Sequence, residues 1–232
     1  MDICYNISMK NLLFFDIECS NGHDICSFGY LIVDNNFNII IKEDLLINPN
    51  APFILAKKGE KPKIQLAYSE LTFKKQPIFK HYYSKIKRLL SNPSNLVFGH
   101  SMASDIYYLK FACEKYRLPL IDFQGFDCQK LYKAIYKKDH LLSLSKMIEE
   151  LNINSNLTLH KSCDDAHLVM EVLKKILKEK KLSLERLLEK FPDCKVSSLN
   201  ILKKTYKLKS RYSHSIDYKK KFENNYKVKD NI

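Results

Sequence analysis

The chain predicts an α/β fold: a mixed sheet, with an antiparallel hairpin and parallel strands, flanked by helices and followed by a basic C-terminal extension. Three observations predict it. Leu12-Leu13-Phe14-Phe15 is an apolar run without alternation, as in a strand covered on both faces in the middle of a sheet. Ile25–Val33 and Phe37–Ile47 flank an Asp34-Asn35-Asn36 turn and read as an antiparallel hairpin beside that strand. Further along, short apolar runs are interleaved with helical patterns, the order that builds a sheet with helices packed on it.

The elements follow in order. Residues 48–63, with Pro49, Pro52, Gly59 and Pro62, read as a surface loop. A helix from about Pro77 to Leu90 places Ile78, Tyr82, Ile86 and Leu89 on one face. Leu96-Val97-Phe98 is a short strand, Gly99 and His100 the turn after it, and Ser101 the N-cap of a helix reaching about Tyr116. A strand near Leu120–Phe123 precedes helices near 127–136, 143–151 and 163–180. Ser183–Phe191 is a last short helix, and the main domain (1–191) ends there, leaving 192–232 as a Lys/Tyr-rich extension.

Acidic residues stand where apolar ones are expected. Asp16 and Glu18 close the first strand two residues apart, so both carboxylates point to one face. Asp105 falls in line with Leu109, Ala112 and Tyr116, the stripe of its helix that faces the core, although an acid in a first turn also complements the helix dipole. Ser162-x-x-Asp165 fits a capping box, with Asp164 there for the dipole and His160 on the surface. The same segment also suits a ligand and a base. Carboxylates gathered in one place repel unless cations neutralise them, so four together point to a pair of hard divalent metals and to phosphodiester chemistry.

In these residues the chain resembles the DEDDh 3′–5′ exonucleases, which include the epsilon proofreading subunit of bacterial replicative polymerases and ribonuclease T. The resemblance covers about residues 11–180. Asp16-x-Glu18 is similar to the family's first motif, His100 through Asp105 to its second, and His160-x-x-x-x-Asp165 to its third. Ile25–Val33 resembles the family's second strand and Leu144–Ile153 the helix before the third motif.

The resemblance implies a ribonuclease H-like fold and two Mg2+ or Mn2+ ions held by Asp16, Glu18, Asp105 and Asp165. It implies His160 as general base on the attacking water, and nucleoside 5′-monophosphates as products. Cys19 and Ser20 stand where the family often has Thr-Thr, and Ser101 where it often has Asn; with His100 these are the expected substrate contacts. The expected substrate is a single-stranded or frayed 3′ end, of DNA in a proofreading or repair role, with a polymerase or replication assembly as partner. The alternatives are an exoribonuclease trimming RNA 3′ ends and a catalytically silent nucleic-acid-binding subunit.

Composition agrees with this reading. A 45% hydrophobic fraction over 232 residues supports one sizeable core, and no apolar stretch is long enough to span a bilayer. The N-terminus lacks a signal-peptide pattern, and the expected location is the cytoplasm. Seven cysteines, an odd number without a C-x-x-C pair, speak against a disulfide framework or a structural zinc site. The net charge of +13 is concentrated late: from Phe191 onward eleven Lys or Arg face four acids. Tyr206, Tyr212, Tyr218 and Tyr226 alternate with those lysines, as in a segment that grips phosphates and stacks on bases; a solvated charged tail has the same composition. His81, His140, His167 and His214 match no motif and read as surface or half-buried residues. His23 lies in a short loop beside the acids.

Overall fold

The computed structural model describes residues 10–56 and 65–204. Six strands form one sheet in the order β3-β2-β1-β4-β5-β6. They are β1 (Asn11–Cys19), β2 (Ile25–Val33), β3 (Ile39–Leu46), β4 (Asn95–Gly99), β5 (Gln124–Asp127) and β6 (Lys195–Ser197). β1, β4 and β5 are parallel, while β2 and β3 form the antiparallel hairpin beside β1, and β6 runs antiparallel on β5. The helices are α1 (Glu70–Lys74), α2 (Phe79–Ser91), α3 (Met102–Lys115), α4 (Cys128–Ile135), α5 (Leu144–Glu150), α6 (Ser162–Lys180) and α7 (Leu184–Lys190). This is a mixed, ribonuclease H-like sheet with helices on both faces.

The unalternating run in β1 has the expected cause. Leu12 and Phe14 point into one core, with α4, α5, α6 and α7, whereas Leu13, Phe15 and Ile17 point into the other, with α2 and α3. On the first face Phe14 stacks on Phe98 at 5.1 Å and Phe98 on Phe126 at 6.0 Å, tying the three parallel strands by their aromatic rings. Such ring pairs contribute about 0.5–1.5 kcal/mol each beyond their burial.

One glycine decides how closely α6 approaches. Gly29 lies between Asp16 of β1 and Asp44 of β3 in a single cross-strand row. A Cβ there would sit 2.0 Å from the Cys163 nitrogen and 2.1 Å from the Ser162 carbonyl carbon. Only a residue without a side chain lets the first turn of α6 lie on the sheet next to Asp16.

Several expectations are corrected. The strand expected near Leu120–Phe123 forms at Gln124–Asp127, because Ile121 and Phe123 are spent packing on the α2/α3 face. Ser101 stands at the N-cap position of α3 but in a left-handed conformation (φ 57°) and makes no capping bond. Asp127, at the end of β5, caps instead: its Oδ2 accepts the Met102 N–H at 3.2 Å, and its Oδ1 accepts Gln129 N–H at 2.9 Å to cap α4. Ser162 is inside α6, with Lys161 at the cap position, so the capping box does not form. The sheet continues past Phe191, since β6 and a helical segment at 198–204 follow it. The Lys/Tyr-rich stretch from residue 205 onward, and residues 57–64 of the surface loop, lie outside the described residues.

Candidate active site

The carboxyl ends of β1 and β4 are neighbours, and two helix N-termini meet there from opposite faces, α3 from one and α6 from the other. Between them lies a cleft of about 310 Å³ lined by Asp16, Glu18, Asp105, His160 and Asp165, with His100, Ser101, Ser104 and Tyr108 along α3 and its approach. All five residues expected for the chemistry thus converge. Ligand atoms of Glu18, His160 and Asp165 lie within 4.8 Å of one another.

Burial and mutual repulsion dominate the electrostatics. Asp16 is pushed well above the usual carboxylate range, first by burial and then by Asp105, Glu18, Asp165 and Asp44. Asp105 is raised likewise, by burial and by Asp127 and Glu18. Burial, with Asp44 nearby, lifts Glu18 to about 7. Asp165 also rises to about 7, through burial and the charge of Glu18, against the opposing pull of its bond from His160.

Two oxygens in this cluster, Asp105 Oδ2 and Asp165 Oδ1, are buried without any hydrogen-bond partner. An unpaired buried carboxylate costs several kcal/mol. An all-carboxylate set with orphaned oxygens is the donor chemistry of Mg2+ or Mn2+, and the residues fit such ions.

The sign of the resulting pH effect is fixed by these shifts. Glu18 and Asp165 rise from 4.5 and 3.8 to about 7. Between those values the folded chain keeps protons that the unfolded chain releases, so stability is lost as pH rises through the window. In chelator, the melting temperature is expected to fall by on the order of 5–10 °C between pH 5 and pH 8, by linkage and the size scaling of Tm. Mn2+ should restore it at pH 8 and change little at pH 5. Thermal melts at the two pH values, with and without Mn2+, check this; a cation effect equal at both would contradict it.

The third segment is held by β3, which the sequence did not point to. Lys42 and Asp44, two apart on that strand, both reach α6. Lys42 Nζ pairs with Asp164 Oδ1 at 2.5 Å, and Asp44 Oδ1 accepts Ser162 Oγ at 2.6 Å. Ser27 of β2 also donates to Asp44 Oδ1 at 2.6 Å, with its Oγ against that of Ser162. Asp164 in turn accepts the Thr158 N–H at 3.3 Å, fixing the loop ahead of the helix. There His160 adopts φ 62°, and its N–H donates to Asp165 Oδ2 at 2.9 Å. Its Nδ1 lies 3.3 Å from Glu18 Oε1, and the side chain is 40% exposed. The sequence signal for Lys42 and Asp44 is slight: they share a strand face by their two-residue spacing, within the charged run Lys42-Glu43-Asp44.

The expected substrate contacts divide. His100 and Ser101 line the cleft. His100 Nε2 meets the Leu142 carbonyl at 3.1 Å, and burial lowers its pKa, so it stands as a neutral donor holding the 142–145 wall. Cys19 and Ser20 do not line the cleft. Ser20 is fully buried, with its Oγ turned to the Asp24 carbonyl at 3.4 Å, because a bulge after Glu18 bends the chain away. Among the described residues six cysteines are free, no disulfide forms, and no helix is long and apolar enough to cross a membrane.

A ribonuclease H-like sheet with an acidic cleft at the ends of its central parallel strands defines a broad class, and comparison narrows it. The chain belongs to the DEDDh family of 3′–5′ exonucleases: the family model described as DNA polymerase III subunit epsilon-like, C-terminal domain, matches residues 58–176, just over half of the 232. That span contains Asp105, His160 and Asp165, while Asp16 and Glu18 precede it. No curated protein matches the chain in sequence.

Among solved structures, it resembles a 3′-exonuclease studied for 3′-end-specific recognition of a histone mRNA stem-loop (14% identity, TM-score 0.62, 74% of this chain and 83% of that one). It also resembles S. pombe Pop2p in its Mg2+- and Mn2+-bound form (13%, 0.57, 76% and 86%). A third likeness is to E. coli exonuclease I in complex with a dA16 oligonucleotide (15%, 0.57, 78% and 43%). At these identities the likeness is one of fold.

Proposed function

We propose that this chain is a metal-dependent 3′–5′ exonuclease that hydrolyses the terminal phosphodiester of DNA and releases nucleoside 5′-monophosphates. The observation that carries the reading is the convergence of four carboxylates from three elements around buried, unpartnered oxygens. Asp16, Glu18, Asp105 and Asp165 would hold two Mg2+ or Mn2+ ions. When bound, such ions neutralise phosphate charge, activate water and stabilise the departing 3′ oxygen.

The rest falls to the chain's own groups. Glu18 faces His160 Nδ1, which leaves Nε2 as the ring nitrogen that takes the proton of the attacking water. The His160 N–H holds Asp165, so base and ligand are positioned by one turn of chain. Tyr108, Leu144 and Leu159 supply apolar surface to the cleft for sugar and base. DNA is the substrate in this reading because the matching family model is described as DNA polymerase III epsilon-like. RNA is the alternative, and both belong in one assay.

The test is a gel of 3′-to-5′ shortening on 5′-labelled single-stranded DNA and RNA. Stepwise shortening in Mn2+ that stops with chelator is expected, faster on DNA. Binding without shortening in Mn2+ would overturn the enzymatic reading.

A further inference from the structure

We propose that His23 and Phe111 form a stacking platform, outside the cleft, for the second base from the 3′ end of a single strand. The proposal rests on the exonuclease reading and extends it to how the strand is held.

Successive positions on one stripe of α3 lead outward from the acids. Ser101, Ser104 and Tyr108 line the cleft, and Phe111 follows Tyr108 by three residues, which places it on the same stripe one turn further along. A turn advances about 5.4 Å, comparable to the step between neighbouring nucleotides of an extended strand. Phe111 is 42% exposed although Ile106, Leu109 and Ala112 on the other side of the helix are buried. Its ring meets that of His23 at 5.6 Å between centroids, inclined by 52°, and Lys110 Nζ stands 4.7 Å from its centroid. The His23 side chain is itself 56% exposed. Lys110 is itself paired with Glu114 Oε2 at 2.7 Å, so the two exposed rings are what the site offers, an apolar face on which a base can stack.

The loop that carries His23 is braced. Gly22 takes φ +84°, a left-handed turn that directs the chain back toward α3. Asn21 Oδ1 accepts the Asp24 N–H at 3.0 Å, and Asn21 Nδ2 donates to Asp24 Oδ2 at 2.9 Å. Lys115, the next residue of the α3 stripe, binds Asp24 Oδ1 at 2.6 Å and the Pro49 carbonyl at 2.8 Å. Asp24 Oδ2 also lies 3.0 Å from His23 Nδ1. The rings are therefore held in place before any ligand arrives, which lowers the ordering cost of binding.

The same loop continues from Glu18, so platform and acids are joined by a few residues of one chain. A base reaches these rings only when it is unpaired, so the platform selects single-stranded or frayed ends. It tolerates any sequence, because every base has a π-face.

Anisotropy titration of fluorescein-labelled dT10 in Ca2+ tests the platform with Phe111→Ala, His23→Ala and Phe111→Trp. In parallel, hydrolysis in Mn2+ of the p-nitrophenyl ester of thymidine 5′-monophosphate, which has one nucleotide and no second base, reports the cleft. Phe111→Ala is expected to weaken dT10 binding about 10-fold, within the range for loss of one base–aromatic stack, and His23→Ala by less. Both should keep ester turnover within about twofold of the parent, and Phe111→Trp should bind dT10 as the parent does. Unchanged dT10 binding by both alanine variants would overturn the platform. Failure of the parent to hydrolyse the ester would count against the exonuclease reading instead, and the dT10 comparison would still decide the platform.

Discussion

Asp16→Asn is expected to lower turnover by about 10³-fold or more, the loss that follows when several kcal/mol of metal-derived charge stabilisation is removed. Asp16 is raised first by burial and then by four neighbouring acids, so it sits among charges that a bound cation would compensate. The same replacement should raise stability. An asparagine removes one of several repelling charges while keeping the shape, so at pH 8 in chelator the variant should melt higher than the parent, and Mn2+ should stabilise it less. Opposite signs for activity and stability mark a functional cluster built at the expense of the fold. Turnover assays and melts on one preparation check both. Normal turnover, or a lower melting temperature in chelator, would contradict this account of the acids.

His160→Asn is expected to cost roughly 10²–10⁴-fold in turnover, the usual contribution of a positioned general base, with Mn2+ affinity nearly unchanged. The choice of asparagine matters. His160 sits at φ 62°, where alanine would add backbone strain and asparagine is tolerated. Asparagine also keeps the backbone N–H that donates to Asp165, so the ligand on α6 stays in place. Loss of turnover with retained Mn2+ binding separates a base from a ligand. Calorimetric titration of Mn2+ beside initial rates distinguishes them, and a variant that loses both together would make His160 a metal ligand.

Much of this site was legible because its acids obey local periodicities. Asp16 and Glu18 share a face by the two-residue period of a strand, and Asp105 lies on the core stripe by the helical period. Those regularities depend on residues a few positions apart, and Asp16, Glu18 and Asp105 do line one cleft; His160 and Asp165, expected from the resemblance to the family's third motif, line it with them. What differed were individual side-chain contacts of Ser101, Ser162 and Ser20. Ser101 looked like a cap, but the bond to Met102 comes from Asp127, 25 residues on. Ser162 and Asp165 looked like a capping box, but Ser162 bonds Asp44, 118 residues away. Ser20 looked like a substrate contact until a bulge in β1 turned it inward.

The sequence by itself determined the class of fold, the order of its elements and the acids that meet at the ends of the central strands, since side-chain period and residue type are local properties. Only the tertiary structure decided how those acids are held: Gly29 lets α6 rest on the sheet, and Lys42 and Asp44 anchor its first turn. It alone brought His23 against Phe111. Both depend on which strands become neighbours and how closely a helix can approach them, and that is set by packing of the whole core rather than by any short stretch of chain.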